Sequence, residues 1–177
     1  MKQKTCLLVG VTDKKGSTNI AMKAALEQLG QNVTVFNYRT VESSYIKNPN
    51  SLLRKFLEKL TSRLRRYPLG PLKRLYFYFP SRIKMNNNLL NLAKSTSFDW
   101  ILLCKTDTID WKTVKKLSKK TKTFYFFMDP PNTANEIQAH KYAQNSTATS
   151  ATFSKVYQKF KKYNPNSHWI IEGEDTT

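Results

Sequence analysis

Cysteine is scarce in this chain of 177 residues: Cys6 and Cys104 are the only two. That excludes a disulfide-dense secreted scaffold, and both lie in apolar runs, as buried reduced thiols do. Histidine is equally scarce, with only His140 and His168, and no Cys/His cluster has the spacing of a zinc site, so no metal and no cofactor is expected. No apolar run approaches the length of about 20 residues that a spanning helix needs. Met1-Lys2-Gln3-Lys4 leads into a short apolar run, too short for a signal peptide, so a cytoplasmic protein is expected, peripheral at the inner membrane face at most. Acidic residues are the last shortage: 12 Asp+Glu stand against 30 Lys+Arg, a net charge of +18. An excess of one sign on this scale points to an anionic partner, whether nucleic acid, a phosphorylated ligand or an anionic membrane surface.

What is present reads as one α/β domain. The apolar fraction of 40% and the aromatic fraction of 12% supply a core. Short apolar runs at 5–10, 32–38, 98–104, 123–128, 147–150 and 168–171 have the pattern of strands buried on both faces. Between them lie helical patterns at 20–29, begun by Ser17-Thr18-Asn19 and stopped by Gly30, and at 110–120, 134–144 and 154–163. Alternation of this kind predicts a Rossmann-like three-layer sandwich: a parallel sheet of about six strands, ordered 2-1-3-4-5-6, with right-handed crossovers.

Residues 43–97 break the rhythm and read as a basic insert. Leu52, Leu53, Phe56, Leu57, Leu60 and Leu64 recur at helical spacing, predicting an amphipathic helix over 51–66. Its other face carries Arg54, Lys55, Lys59, Arg63, Arg65 and Arg66. Beyond the turn at 68–71, Lys73, Arg74, Arg82 and Lys84 bracket an aromatic run that includes Tyr76 and Tyr78. Residues 54–84 hold ten basic side chains and one acidic one, half of the chain's net charge in under a fifth of its length. Three readings stay open. Such a helix can lie on an anionic bilayer. Basic residues interleaved with aromatics can hold single-stranded nucleic acid. Or the apolar face packs on the core and the charges are solvated.

The chemistry is expected where strand ends converge. In an open α/β sheet, ligands bind beyond the carboxyl ends of the strands where the winding reverses. Here that crevice would be lined by Gly10, Thr12, Lys15, Gly16 and Ser17 after the first strand and by Lys105, Thr106 and Asp107 after the third. Asp129 and Pro130 follow the fourth strand, with His140 within reach. The loop from Gly10 to Thr18 fits neither GxxxxGK[ST] nor GxGxxG, so an NTPase or dinucleotide site is not expected. Asp129 is the best-placed carboxylate, because it ends a strand on the ligand side, or else it caps the turn before two prolines.

The order of these segments resembles the N-terminal half of GT-B glycosyltransferases, the CgeB-like spore-protein group in particular. The resemblance rests on Leu7-Leu8-Val9-Gly10, on 25–33 running into Phe36-Asn37-Tyr38-Arg39, on 98–107, on Phe126-Phe127-Met128-Asp129-Pro130 and on 169–175. It covers 5–39 and 98–175. Met128 stands where the family often has a further Asp, and the chain ends where the family's linker to its second domain begins. The resemblance therefore implies an acceptor-side lobe lacking the donor-binding domain, either inactive alone or completed by a partner chain that binds the nucleotide-sugar donor. The acceptor would be a glycan, lipid-linked or phosphorylated molecule, bound by the crevice loops with Asp129 or Asp107 as the candidate catalytic base. The alternative is a non-enzymatic polyanion-binding protein acting through 51–84.

Overall fold

A computed structural model describes residues 3–13, 15–46, 79–106 and 108–171, with positions 52, 55–57, 59–60 and 63 between them. Six strands form one parallel sheet: β1 (Thr5–Val9), β2 (Asn32–Phe36), β3 (Trp100–Cys104), β4 (Lys122–Phe127), β5 (Ala148–Ala151) and β6 (Ser167–Trp169). Their order is β2-β1-β3-β4-β5-β6, the predicted one. The winding reverses between β1 and β3, which pair directly from Cys6↔Trp100 to Val9↔Leu103. The helices described from end to end are α1 (Thr18–Gln28), α2 (Tyr38–Ser44), α3 (Pro80–Ser95), α4 (Trp111–Ser118), α5 (Pro131–Glu136), α6 (Ala139–Asn145) and α7 (Ser154–Lys161).

Alternation along the strands divides the sheet into two apolar faces. Leu7, Val9, Ile101, Leu103, Tyr125 and Phe127 are buried in one cluster with Met85, Leu89, Val114 and Phe160 from the helices. Cys6, Leu8 and Cys104 are buried on the opposite face, where the Cys104 thiol lies 3.3 Å from the sulfur of Met22 in α1. The two free cysteines are thus core residues. Burial pushes the Cys6 thiol up to about 12 and raises that of Cys104 as well, so both stay protonated and neither is a nucleophile at neutral pH.

Three expectations need correction. The helix expected over 134–144 is two helices, α5 and α6, because Gln138 takes a left-handed conformation (φ 56°) that a continuous helix cannot hold. The second strand ends at Phe36; Asn37 caps α2 by accepting from the backbone N–H groups of Arg39 and Thr40, so Tyr38 is helical. Residues 80–95, within the stretch read as a basic insert, form α3, with Met85 and Leu89 fully buried. Arg82, assigned to an anion-binding surface, is likewise buried, with Nε 3.0 Å from the Glu42 carboxylate of α2. Lys84 remains exposed, its ammonium 5.9 Å from the centre of the Tyr45 ring. The rest of the insert assignment falls largely outside the described residues, including Arg54, Arg65, Arg66, Lys73, Arg74, Tyr76 and Tyr78. Lys55, Lys59 and Arg63 are described; they sit on helical backbone and are exposed.

Candidate functional site

The switch-point crevice is built by three strand ends and the turn after β2. Gly10 follows β1 and lets the chain pass under α1: a Cβ there would sit 2.7 Å from the Asn19 amide nitrogen. Ser17 caps α1, its hydroxyl accepting from the Asn19 backbone N–H (3.3 Å) and donating to the Val11 carbonyl (2.7 Å). The Asn19 side chain donates to the same carbonyl (3.1 Å), and its own Oδ1, buried, accepts from no group among the described residues. Gly16, at φ 78°, supplies the left-handed step before the cap.

At the end of β3, Lys105 holds φ 45°, a costly conformation for a side chain of its length. The Tyr38 hydroxyl secures it by donating to the Lys105 carbonyl (2.5 Å). This turns the Lys105 ammonium toward β4, where it meets Asp129 Oδ1 at 2.9 Å. Asp129 Oδ2 is buried and has no partner among the described residues. Lys15, Ser17, Asn19, Arg39, Lys105 and Asp129 converge on a space of about 400 Å³.

The lining carries three cations, Lys15, Arg39 and Lys105, against one carboxylate, Asp129. Asp129 offsets Lys105. Asp13 stands beside Arg39 at the rim; hydrogen bonding from the Asn37 side chain, first of all, holds its carboxyl below the usual carboxylate range, and Arg39 adds to the effect. Lys15 is left as the cation without an acidic neighbour in the lining. Among the described residues, no group of three His, Cys, Asp or Glu side chains is placed to hold a metal ion.

Lys15, Gly16, Ser17, Lys105 and Asp129 line this space as the strand-end argument expects. Other assignments do not meet there. Gly10 is buried behind Asn19, and Thr12 is half-buried outside the lining. Thr106 is fully buried, facing the protein interior, and Pro130 is exposed at the start of α5. His140 packs on the Tyr163 ring, with centroids 5.0 Å apart, and is not part of the crevice. Asp107 lies outside the described residues. Sequence reasoning missed Tyr38, Arg39 and Asn19. The first two follow β2, and β2 neighbours β1, so the rule that picked the other loops would have found them. No protein-family model matches the chain, and no curated protein matches it.

Proposed function

We propose that the chain is the acceptor-binding lobe of a two-lobe sugar transferase, with a partner supplying the nucleotide-sugar. The Lys105–Asp129 pair carries this reading. An ammonium fixes one carboxylate oxygen at 2.9 Å at the strand-end crevice, and the other, buried, has no partner among the described residues. A carboxylate so oriented suits proton abstraction from an acceptor hydroxyl. As that hydroxyl oxygen bonds to the anomeric carbon, its proton passes to Asp129. The bond from sugar to nucleotide breaks, and its electron pair leaves on the phosphate. Lys15 and Arg39 favour an acceptor that bears a negative group.

Calorimetry with nucleotide-sugars tests the division of labour. Dissociation constants weaker than about 1 mM are expected for the isolated chain; micromolar binding would mean the lobe holds its own donor site. With the donor lobe supplied, Asp129→Asn should slow transfer by about 10²–10⁴-fold.

One observation favours the second reading, a protein that binds an anionic membrane surface. Leu52 and Phe56 sit on helical backbone and are 83% and 64% exposed, with Leu60 one turn on at 42%. Lys55, Lys59 and Arg63 recur at the same four-residue spacing, so a basic stripe flanks an uncovered apolar one. Vesicle flotation is the measurement. Binding to anionic but not neutral vesicles, weakened by salt and lost in Phe56→Ser with Lys59→Gln, is expected. Equal behaviour toward both vesicle types, or RNA binding in their place, contradicts it.

A further inference from the structure

At the end of the sheet opposite the crevice, α3 and α4 leave a groove between them of about 650 Å³. Thr121, just before β4, closes its base. On α3 the groove is faced by Asn87, Leu90, Asn91 and Lys94, which recur at i, i+3, i+4 and i+7 and so form one stripe. Across from them stand Lys116, Lys119 and Lys120 at the end of α4, with Leu117 buried between. The result is an apolar floor, two carboxamides and four ammonium groups. No carboxylate lines it.

Lysines at helix C-termini have an ordinary purpose, since they offset the helix dipole. Its magnitude decides whether that suffices. Each C-terminus is equivalent to about −0.5 charge, so two together amount to about −1 against four cations. Roughly three positive charges remain. All four lysines are exposed, and none has an ion pair or side-chain hydrogen bond among the described residues.

We propose that this groove is a binding site for a compact ligand carrying several phosphate groups on a ring, either a free polyphosphorylated cyclitol or nucleoside, or the same chemistry on a lipid headgroup. Lysine serves phosphate as a mobile point charge, and several are needed where no guanidinium fork is present. The ring face would rest on Leu90 and Leu117, while Asn87 and Asn91 would bond to hydroxyls or phosphate oxygens. A space of this size matches small-molecule sites in general. A single strand of nucleic acid calls for charge tracking along a path rather than gathered around one hollow.

The test uses the full chain and inositol hexakisphosphate at 0.15 M salt, on the order of physiological ionic strength. Calorimetry should give a saturable one-to-one isotherm. Lys94→Gln/Lys119→Gln/Lys120→Gln should weaken it at least about tenfold, or 1.4 kcal/mol. A triple of equal charge change elsewhere, Lys155→Gln/Lys161→Gln/Lys162→Gln, all exposed on α7 and the turn after it, should leave it within about twofold. The side-chain amide signals of Asn87 and Asn91 should shift on titration. Vesicles bearing phosphatidylinositol bisphosphate, compared with phosphatidylserine vesicles of equal charge, separate the sources: extra binding that the groove triple abolishes assigns a headgroup, and no extra binding beside tight free-ligand binding assigns a soluble molecule. Equal losses in both triples, unmoved Asn87 and Asn91 signals, or tighter binding of a charge-matched RNA would overturn the proposal. The substituted lysines are exposed, and an unchanged thermal midpoint verifies that the variants fold.

Discussion

Glu42→Ala is expected to destabilise the protein by about 3–5 kcal/mol, because it leaves the Arg82 guanidinium charged, buried and without its carboxylate. Nε of Arg82 lies 3.0 Å from Glu42, and the two side chains are only 8% and 11% exposed. Solvent therefore cannot screen the pair as it would at a surface. Arg82 also lies over the Phe79 ring, 5.1 Å from its centre, so the charge cannot swing out to water without giving up that packing. The pair joins α2 to α3, and urea denaturation would measure its loss. The sign of a second change sharpens the test. Glu42→Ala combined with Arg82→Met removes both charges and should recover most of the stability, since an apolar pair of similar volume is often neutral. A loss under about 1 kcal/mol for the single variant would mean the pair behaves as if solvated.

Phe160→Ala carries a comparable expectation, about 3–5 kcal/mol, for a different reason: it opens a cavity. Phe160 is fully buried, and its ring centre lies 5.9 Å from those of both Tyr125 and Phe127. Tyr125 in turn stacks on Tyr142 at 5.3 Å, and the Tyr142 hydroxyl donates to the Ile109 carbonyl at 2.6 Å. That hydroxyl pins its ring, so the neighbours can collapse into the gap only in part. Denaturant unfolding should show a lower midpoint with an unchanged slope. A loss below 2 kcal/mol, roughly the transfer term alone, would show that the cluster relaxes to fill the space.

The sheet was legible because its signal is redundant. Runs such as Leu7-Leu8-Val9 and Ile101-Leu102-Leu103 fit a strand buried on both faces, and each is followed by a helical pattern that fixes parallel pairing. The helix α3 was hidden by its own polar residues. Met85 and Leu89 are spaced for a helix face, but Asn86-Asn87-Asn88 sets three carboxamides between them. The structure explains Asn86: its amide donates to the carbonyls of Arg82 (2.8 Å) and Thr108 (3.3 Å), and its Oδ1 accepts from the Asp110 N–H (2.9 Å). A buried carboxamide that ties α3 to the turn before α4 has the same letter as a solvated one. Arg82 is the same lesson in charge: in a basic stretch nothing local marks a cation whose carboxylate lies forty residues upstream. The crevice was half legible. Position along β1, β3 and β4 located Lys15, Lys105 and Asp129, whereas the left-handed turn at Lys105 and the break at Gln138 depend on tertiary partners that no short window contains.

The two core thiols give the molecule a built-in clock. Cys6 and Cys104 lie fully buried on adjacent central strands and are held in the unreactive protonated form. An alkylating reagent can therefore meet them only when the centre of the sheet comes apart, and the pace of their modification is a direct reading of how often it does.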